Sequence, residues 1–205
     1  MPKRTFKHWT NAYIINRLKL KVNEVKNPEL PWLTQEAVSI LSSLVRQEDV
    51  GIEWGSGRST VWLGKRMKRL NSVEHNLIWF RKVSEELFEQ KVKNVVYSYK
   101  PSKKDYMEAS SRFGKNSIDF ALLVDGIWRD SCALHVIEKI KVGGLLVIDN
   151  VNWYLPSASI SPNSRTAAMG PATKRWSVFN RMTENWRRIW TTNGVTDTAI
   201  YIKQG

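Results

Sequence analysis

A short segment that contains two glycines has the residue types and spacing of a ligand-binding turn. Gly55 and Gly57 follow an apolar run, and glycines let the backbone turn sharply and approach a ligand closely. A helix is predicted directly after them, so that its positive dipole end would face the ligand, and Ser59 and Thr60 would add hydroxyl donors. Because ordinary turns also use glycines in this spacing, the segment alone does not define a site.

Two acidic residues make the segment more specific. Glu74 ends the next apolar run, and an acid about 20 residues along the chain is placed to bind both hydroxyls of a ribose. Glu53 precedes Gly55, and a carboxylate there suits a ligand that presents a cation, such as an amino-acid ammonium group. Thr60 stands where a dinucleotide-binding loop needs a third glycine. Gly64-Lys65 is followed by arginine, which excludes a P-loop.

The elements predicted around these residues alternate between strand and helix, which predicts a parallel sheet with right-handed crossovers. Strands are predicted over residues 50–54, 70–74, 94–99, 118–124 and 145–148. Helices are predicted over residues 10–26, 35–46 (with Thr34 as its N-cap), 59–67, 77–90, 131–141 and 176–186. Gly143-Gly144 is interpreted as the stop signal of the helix over 131–141.

The two ends of the chain and one long loop differ from this pattern. Residues 187–192 and 197–203 are strand-like, and Asn193-Gly194 between them predicts an antiparallel hairpin. Residues 156–173 contain three prolines and little periodicity, which predicts a lid loop over the site. Residues 1–31 are predicted to form a basic helical extension, and 32–205 a single domain. The helix over 10–26 is predicted to have one apolar side, formed by Tyr13, Ile14, Leu18 and Val22, with basic residues on the opposite side.

Composition narrows the class of protein. The chain has 205 residues, a formal net charge of +13 and one cysteine, Cys132, which is interpreted as a small buried side chain on a helix. A disulfide-stabilised secreted protein is thereby excluded, and no apolar run has the length of a signal peptide or a membrane span. The expectation is a soluble, cytoplasmic protein. The positive charge favours anionic partners, but its dispersal in several clusters is more typical of solvated faces than of a nucleic-acid stripe.

These motifs together resemble a known family. The segment over residues 50–60 resembles the first motif of class I S-adenosylmethionine (SAM)-dependent methyltransferases, and residues 72–76 resemble their second-strand motif. Residues 119–126 and 143–150 are similar to their fourth and fifth strands, and the terminal hairpin to their sixth and seventh. The resemblance covers about residues 32–203. It implies a Rossmann-like α/β fold: a doubly wound, mostly parallel, seven-stranded sheet with a C-terminal antiparallel hairpin.

The resemblance also implies SAM as the cofactor and assigns residues to it. They lie in the glycine-containing turn and after the second, third and fourth strands: Glu53, Gly55, Ser56, Gly57, Ser59, Thr60, Glu74, His75, Ser98 and Asp125. Tyr99 is an alternative to Ser98. Trp79 either covers this pocket or packs in the core.

The acids after the fourth and fifth strands are the predicted catalytic residues, Asp125 and Asp149. A hydroxyl acceptor must lose its proton to a base or bind a cation. Asp125, Asp149 and Asn150 resemble the Mg²⁺ ligands of catechol and caffeoyl-coenzyme A O-methyltransferases, so Mg²⁺ is a second candidate cofactor. Those enzymes have a lysine shortly after the first acid, where this chain has Arg129, and Asp149-Asn150 is alternatively a strand-end turn. Arg129, Asn150 and Trp153 are predicted to contact the substrate.

The predicted function is O-methylation of a small molecule or a sugar, with an anionic acceptor compatible with the charge. Two alternatives remain. The first is a nucleic-acid (RNA) methyltransferase, which the charge favours. The chain has Val124-Asp125-Gly126 after the fourth strand, however, and not the Asn/Asp-Pro-Pro-Tyr/Phe that base-amino methylating families have. The second is a non-catalytic protein that binds an adenosyl cofactor on the same fold.

Overall fold

The computed structural model describes residues 10–124 and 126–205. Helices and strands alternate along most of this part. The helices are α1 (Asn11–Lys26), α2 (Gln35–Leu44), α3 (Arg58–Gly64), α4 (Leu77–Glu89), α5 (Lys103–Met107), α6 (Arg129–Val136) and α7 (Lys174–Met182). The strands are β1 (Val50–Trp54), β2 (Arg69–Glu74), β3 (Val95–Tyr99), β4 (Ile118–Leu123), β5 (Ile140–Asp149), β6 (Arg187–Thr192) and β7 (Asp197–Ile202). None of the described helices is long and apolar enough to cross a membrane.

The strands form one sheet in the order β3-β2-β1-β4-β5-β7-β6. β1 pairs in parallel with β2 and with β4, whereas β7 is antiparallel to both of its neighbours, β5 and β6. The predicted doubly wound sheet with a C-terminal antiparallel hairpin is therefore confirmed. The strand order reverses between β1 and β4, and in open α/β sheets ligands bind outside the carboxyl ends of the strands at that point. The fold thus places a crevice beside the glycine-containing turn.

Alternation along the strands fills both faces of the sheet. In β4, Phe120 and Leu122 pack with α2 and α3 on one face, while Ala121 and Leu123 pack with α6 and α7 on the other. Cys132 lies in the second of these layers, fully buried on α6 as predicted, and burial raises the pKa of its thiol. A sheet buried on both faces holds its strand ends in fixed positions.

The predicted stop of the helix before β5 is wrong. α6 ends at Val136, and Gly143 and Gly144 lie inside β5, which begins at Ile140. The pairing of β4 with β5 shifts register between Ile118 and Phe120; Gly143 has φ +79°, and a Cβ on Gly144 would lie 2.9 Å from the carbonyl oxygen of Lys141. The two glycines therefore serve an irregular strand pairing and not a helix end.

Two other regions add to the prediction. Residues 100–117, for which no element was predicted, contain α5 and the 3-10 helix Glu108–Arg112. Residues 156–173 have a 3-10 helix at Ala167–Met169 and an isolated bridge between Pro156 and Arg165, with no longer element. Their role as a lid stays a prediction.

The helix α1 begins after Thr10, whose hydroxyl accepts a hydrogen bond from the amide of Tyr13 at 3.2 Å. The predicted single apolar side is wrong in one respect, because Tyr13 faces the sheet edge while Leu18 and Val22 face outward. The basic residues border the outward apolar face and do not lie opposite it. Residues 1–9 of the predicted extension lie outside the described part.

Candidate active site

The glycine-containing turn connects β1 to α3 at the carboxyl edge of the sheet. Gly55 has φ +84°, a left-handed conformation that favours glycine, and its amide donates to the carbonyl oxygen of Val73 at 3.0 Å. Gly57 leaves room above the turn, because among the described residues a Cβ there would meet only the indole of Trp79, at 3.8 Å. The two glycines have different uses: Gly55 makes the turn and Gly57 keeps its outer side open.

The buried side chains of Glu53 and Thr60 support this turn through hydrogen bonds. The Thr60 hydroxyl donates to Glu53 Oε2 at 2.6 Å and accepts from the Gly57 amide at 2.9 Å. The Ser72 hydroxyl donates to the same Glu53 oxygen at 2.7 Å. Thr60 therefore replaces the third glycine of a dinucleotide-binding loop because its hydroxyl links the carboxylate to the turn. Glu53 is fully buried, and among the described residues its Oε1 has no hydrogen-bond partner.

Burial changes the protonation of Glu53. Removal of the carboxylate from water raises its pKa to about 7; the hydroxyls of Ser59, Thr60 and Ser72 act in the opposite direction, and the carboxylate of Glu74 adds a further rise. The ligand-free chain therefore holds a proton on Glu53 in a pH range where an exposed glutamate has lost it. A cationic group beside Oε1 would favour the ionised form.

Protonation of Glu53 should make the free energy of unfolding depend on pH. We expect the free energy of unfolding of the ligand-free protein to fall as the pH rises from about 4.5 to about 7, because the folded chain retains a proton that the unfolded chain has released. The loss attributable to Glu53 is a few kcal/mol, since one pKa unit corresponds to about 1.4 kcal/mol. Urea unfolding at several pH values in this range, compared with Glu53→Gln, measures it. The control is Glu89→Gln at an exposed position, which should keep the wild-type dependence of the free energy of unfolding on pH. If the wild type and Glu53→Gln showed the same pH dependence, the proton would not be on Glu53.

Glu74 ends β2 next to the same turn, as predicted. Its Oε2 accepts from the amide and the hydroxyl of Ser56, both at 3.0 Å. Its Oε1 accepts from the amides of His75 and Asn76, both at 2.8 Å. A carboxylate has about four lone-pair sites, so all of them are in use. The ribose predicted to bind here would have to displace one donor, and the Ser56 hydroxyl, which also contacts the hydroxyl of Tyr97, is the one that can rotate away.

Aromatic side chains surround this carboxylate. The indole of Trp79 donates to the carbonyl oxygen of Ser56 at 2.5 Å and so covers the turn. The Nδ1 atom of His75 lies 3.1 Å from Glu74 Oε1, and the edge of its ring meets the ring of Tyr106. Tyr106 was not foreseen from the sequence, because it lies in the region without periodicity. It is fully buried, and burial raises the pKa of its hydroxyl.

The remaining assigned residues lie further out. Ser59 is buried at the start of α3. Ser98 lies in β3 opposite Val73 and is half-buried. Asp125, assigned to cofactor, catalysis and metal, lies outside the described residues.

A cleft of about 250 Å³ opens at the carboxyl ends of β4 and β5. It contains Asp149, Asn150 and Trp153, so the structure brings together three residues that the sequence assigned to catalysis or substrate. Arg58 and Val124 line the same cleft and border the glycine-containing turn and the end of β4. The described cofactor residues do not line it; they form the adjacent site. The inner side of α1 closes the cleft through Tyr13, Arg17, Leu20, Asn23 and Glu24.

Arg129 is not in the cleft. It is buried, and its guanidinium donates to the carbonyl oxygens of Gly126 at 3.0 Å and of Asp149 at 2.6 Å. It also donates to Oδ1 of Asn150 at 3.3 Å. Arg129 thus links the ends of β4 and β5.

The described residues do not fit a magnesium site. Asn150 Oδ1, the proposed metal ligand, already accepts from the Arg129 guanidinium at 3.3 Å, and Asn150 Nδ2 donates to the Thr196 hydroxyl at 2.6 Å. Asp149 Oδ1 accepts from the Thr198 hydroxyl at 2.9 Å. Within the described part, no group of three or more His, Cys, Asp or Glu side chains is arranged to hold a metal. Mg²⁺ is therefore unsupported.

Activity should accordingly survive metal removal. For the methyl transfer that the sequence resemblance implies, we expect an initial rate that is unchanged after dialysis against EDTA, because the Arg129 guanidinium supplies the positive charge at Asn150 that a metal would supply. The same assay with Mg²⁺ added back is the control. A rate that collapses in EDTA and returns with Mg²⁺ would contradict this.

Comparisons with known proteins agree with this geometry. No family model and no curated protein matches the chain. Among solved structures, the chain is similar to a putative caffeoyl-CoA O-methyltransferase from Staphylococcus aureus, at 15% identity over 97% of this chain and 95% of that one, with a TM-score of 0.62. It is similar to the O-methyltransferase TomG from Streptomyces achromogenes, in complex with SAM, at 19% identity over 96% and 91%, with a TM-score of 0.60.

A third similar structure is an rRNA methylase from Streptococcus thermophilus, at 11% identity over 86% of this chain and 99% of that one, with a TM-score of 0.60. At these identities the likeness shows the fold. The chain has the fold of class I SAM-dependent methyltransferases, as its motifs predicted.

Proposed function

We propose that the chain is a SAM-dependent methyltransferase that methylates a hydroxyl group of a small, oxygen-rich molecule such as a sugar. The observation that carries the proposal is the adjacency of two sites at the switch point of the sheet. Glu74 and the glycine-containing turn meet through Ser56, and the cleft that contains Asp149 opens beside them. One site suits an adenosyl group and the other suits an acceptor.

The residues present fit SAM. Glu74 would bind the ribose hydroxyls once the Ser56 side chain turns away, and Gly57 leaves room for a ligand over the turn. The buried Oε1 of Glu53 has no hydrogen-bond partner among the described residues, and it is an acceptor that suits the cationic end of the cofactor. When bound, SAM supplies an electrophilic methyl group on a sulfonium.

The acceptor cleft favours a neutral ligand rich in hydroxyl and ether oxygens. Two buried donors at the cleft, Trp153 Nε1 and Asn193 Nδ2, have no partner among the described residues. Leaving a buried donor unpaired costs about 1–3 kcal/mol, which oxygens of a ligand would offset. Among the described residues, the formal charges that line the cleft balance; they belong to Arg17, Arg58, Glu24 and Asp149. The lining also contains amide and indole side chains, and apolar side chains make up most of the rest: Asn23, Asn27, Asn150, Asn163 and Trp32 belong to the first group, and Leu20, Leu30, Leu33, Val124 and Val195 to the second.

Asp149 is the proposed base. Its carboxylate lines the cleft, and the Thr198 hydroxyl holds Oδ1 at 2.9 Å while Arg129 holds its main-chain oxygen. The carboxylate would accept the proton of the acceptor hydroxyl and orient the oxygen for in-line attack. Arg129 acts as a positioning residue for this strand end.

RNA is the second candidate acceptor, favoured by the formal net charge of +13. The balanced charges of the cleft argue against it, because a phosphate backbone is bound mainly by unpaired basic side chains. The two candidates differ in the salt dependence of binding, which is steep for a nucleic acid.

The test is a transfer assay with SAM that carries a radioactive methyl group. Calorimetry first measures SAM binding to the purified chain. The acceptors are a set of neutral monosaccharides, catechol and an RNA oligonucleotide. We expect SAM to bind and the label to appear in a monosaccharide. Failure to bind SAM would overturn the methyltransferase assignment. Label that enters only the RNA, or no acceptor at all, would overturn O-methylation of a sugar-like acceptor.

A further inference from the structure

The outer face of α1 is apolar, and none of the described residues covers it. Ile14, Ile15, Leu18, Val22 and Val25 have 39–71% of their surface exposed. With 3.6 residues per turn, all five fall within an arc of about 100° around the helix. The whole of α1 belongs to the described part, and none of its residues is buried. A contiguous apolar face of this kind on a surface helix marks a contact with a partner.

The inner face of α1 mixes polar residues with Tyr13 and Leu20, and polar contacts hold the helix on the domain. Arg58 donates to the carbonyl oxygen of Glu24 at 3.1 Å, and the side chain of Asn16 lies against Gly194 in the β6–β7 turn. Asn23 and Glu24 line the acceptor cleft. The apolar side of α1 therefore faces solvent, whereas the apolar side of an ordinary surface helix faces the core.

Basic side chains border the apolar face on both sides. Lys19 and Lys26 follow it at one border, and Lys21 and Arg17 at the other; all four are exposed. Glu24, the sole carboxylate of α1, is on the inner face, 3.5 Å from Lys21. An apolar face between lysines is the pattern of helices that lie in the interface of an anionic membrane.

We propose that the outer face of α1 docks the protein on an anionic lipid surface. The five apolar side chains enter the boundary between headgroups and acyl chains, and Lys19, Lys21 and Lys26 contact lipid phosphates and carboxylates. The acceptor cleft then lies one helix diameter, about 10–12 Å, from the headgroups. This docking does not depend on the methyltransferase activity.

A second copy of the chain fits the same face less well. Two such faces brought together would set the lysine borders of both copies against each other, whereas anionic lipid complements them. A standard dimer interface takes about 20–30 residues from each side, many more than this face offers. Charge and size therefore both favour lipid.

Vesicle co-sedimentation of the full chain tests the docking. The vesicles contain either phosphatidylcholine alone or phosphatidylcholine with an equal part of phosphatidylserine. We expect binding to the anionic vesicles that weakens as salt is added, and little binding to the neutral ones. Lys19→Gln and Lys26→Gln should each weaken binding about five-fold. The double variant Leu18→Ser/Val25→Ser should weaken it at least about ten-fold.

The matched control is Ile78→Ser/Phe88→Ser on α4, which changes two apolar residues that are 81% and 85% exposed. It should bind anionic vesicles like the wild type, and thermal unfolding checks that each variant is folded. Equal binding to both kinds of vesicle would overturn the proposal. Binding to neither kind, with a lipid-free dimer that Leu18→Ser disrupts in sedimentation velocity, would assign the face to a second copy instead. An equal loss of vesicle binding in the control would remove the assignment to α1.

Discussion

Replacing Glu74 with glutamine is expected to weaken SAM binding by about 100-fold while the protein stays folded. The carboxylate would accept both ribose hydroxyls, and hydrogen bonds to charged groups contribute about 1.5–3 kcal/mol each. Glutamine retains one acceptor oxygen, but its amide would face the amide of Ser56 or those of His75 and Asn76. Alanine is the poorer choice, because it would leave three amides without an acceptor.

Calorimetry with SAM measures the effect, and thermal unfolding checks the fold. Glu89→Gln, on the exposed side of α4, is the matched control and should bind like the wild type. A folded Glu74→Gln with wild-type affinity would remove the ribose assignment.

A companion variant separates the ribose contact from simple support of the turn. Ser56→Ala removes the hydroxyl that occupies Glu74 Oε2 and leaves the Ser56 amide bond in place. If ribose takes the place of this hydroxyl, SAM affinity should be equal to or higher than that of the wild type. Weaker binding by Ser56→Ala would mean that the hydroxyl itself belongs to the cofactor contact, and the proposed displacement would be wrong.

Replacing Asp149 with asparagine should lower kcat by about 10²–10⁴-fold, the usual contribution of a general base. Asparagine has the same shape and can still accept the hydrogen bond from Thr198, so the cleft should keep its form. SAM affinity and the acceptor KM should change little, because the lost function is proton removal in the reaction step. Label transfer from SAM at saturating acceptor measures kcat.

Asp119→Asn is the matched control, since Asp119 lies at the opposite end of β4 and pairs with Lys141 at 2.7 Å. It should leave kcat unchanged. An Asp149→Asn variant with wild-type kcat would reject Asp149 as the base. A large rise in acceptor KM at constant kcat would assign it to acceptor binding.

The sequence predicted what depends on local patterns. All seven strands were predicted from local sequence patterns, and the near-continuous apolar run over residues 118–124 predicted in addition that β4 is buried on both faces. Gly55 and Glu74 were placed correctly at the ends of β1 and β2, since a turn glycine and a strand-end acid are local features. The terminal hairpin followed from Asn193-Gly194 for the same reason.

Other features could not be predicted from the sequence, because they depend on which elements pack against one another. Gly143-Gly144 resembles a helix end in sequence, but the register of β5 on β4 gives these glycines their use. Tyr106 had no periodic signal, and only the return of residues 103–112 to the sheet edge places it beside His75. Arg129 was predicted to meet a substrate, whereas the neighbouring ends of β4 and β5 supply its acceptors.

The sequence thus determined the positions of the glycine-containing turn and of Glu74, whereas the tertiary structure decided which donors form hydrogen bonds with the Glu74 carboxylate. Hydrogen-bond acceptors are saturated by whichever donors the fold brings within reach, and those of Glu74 come from Ser56 as well as from its own neighbours. Likewise, the pattern of α1 determined an amphipathic helix. The polar contacts of α1 with Arg58 and the β6–β7 turn decided that its apolar face points outward. Periodicity in the sequence defines the two faces of a helix, but the packing of the rest of the chain decides which face is turned toward the domain.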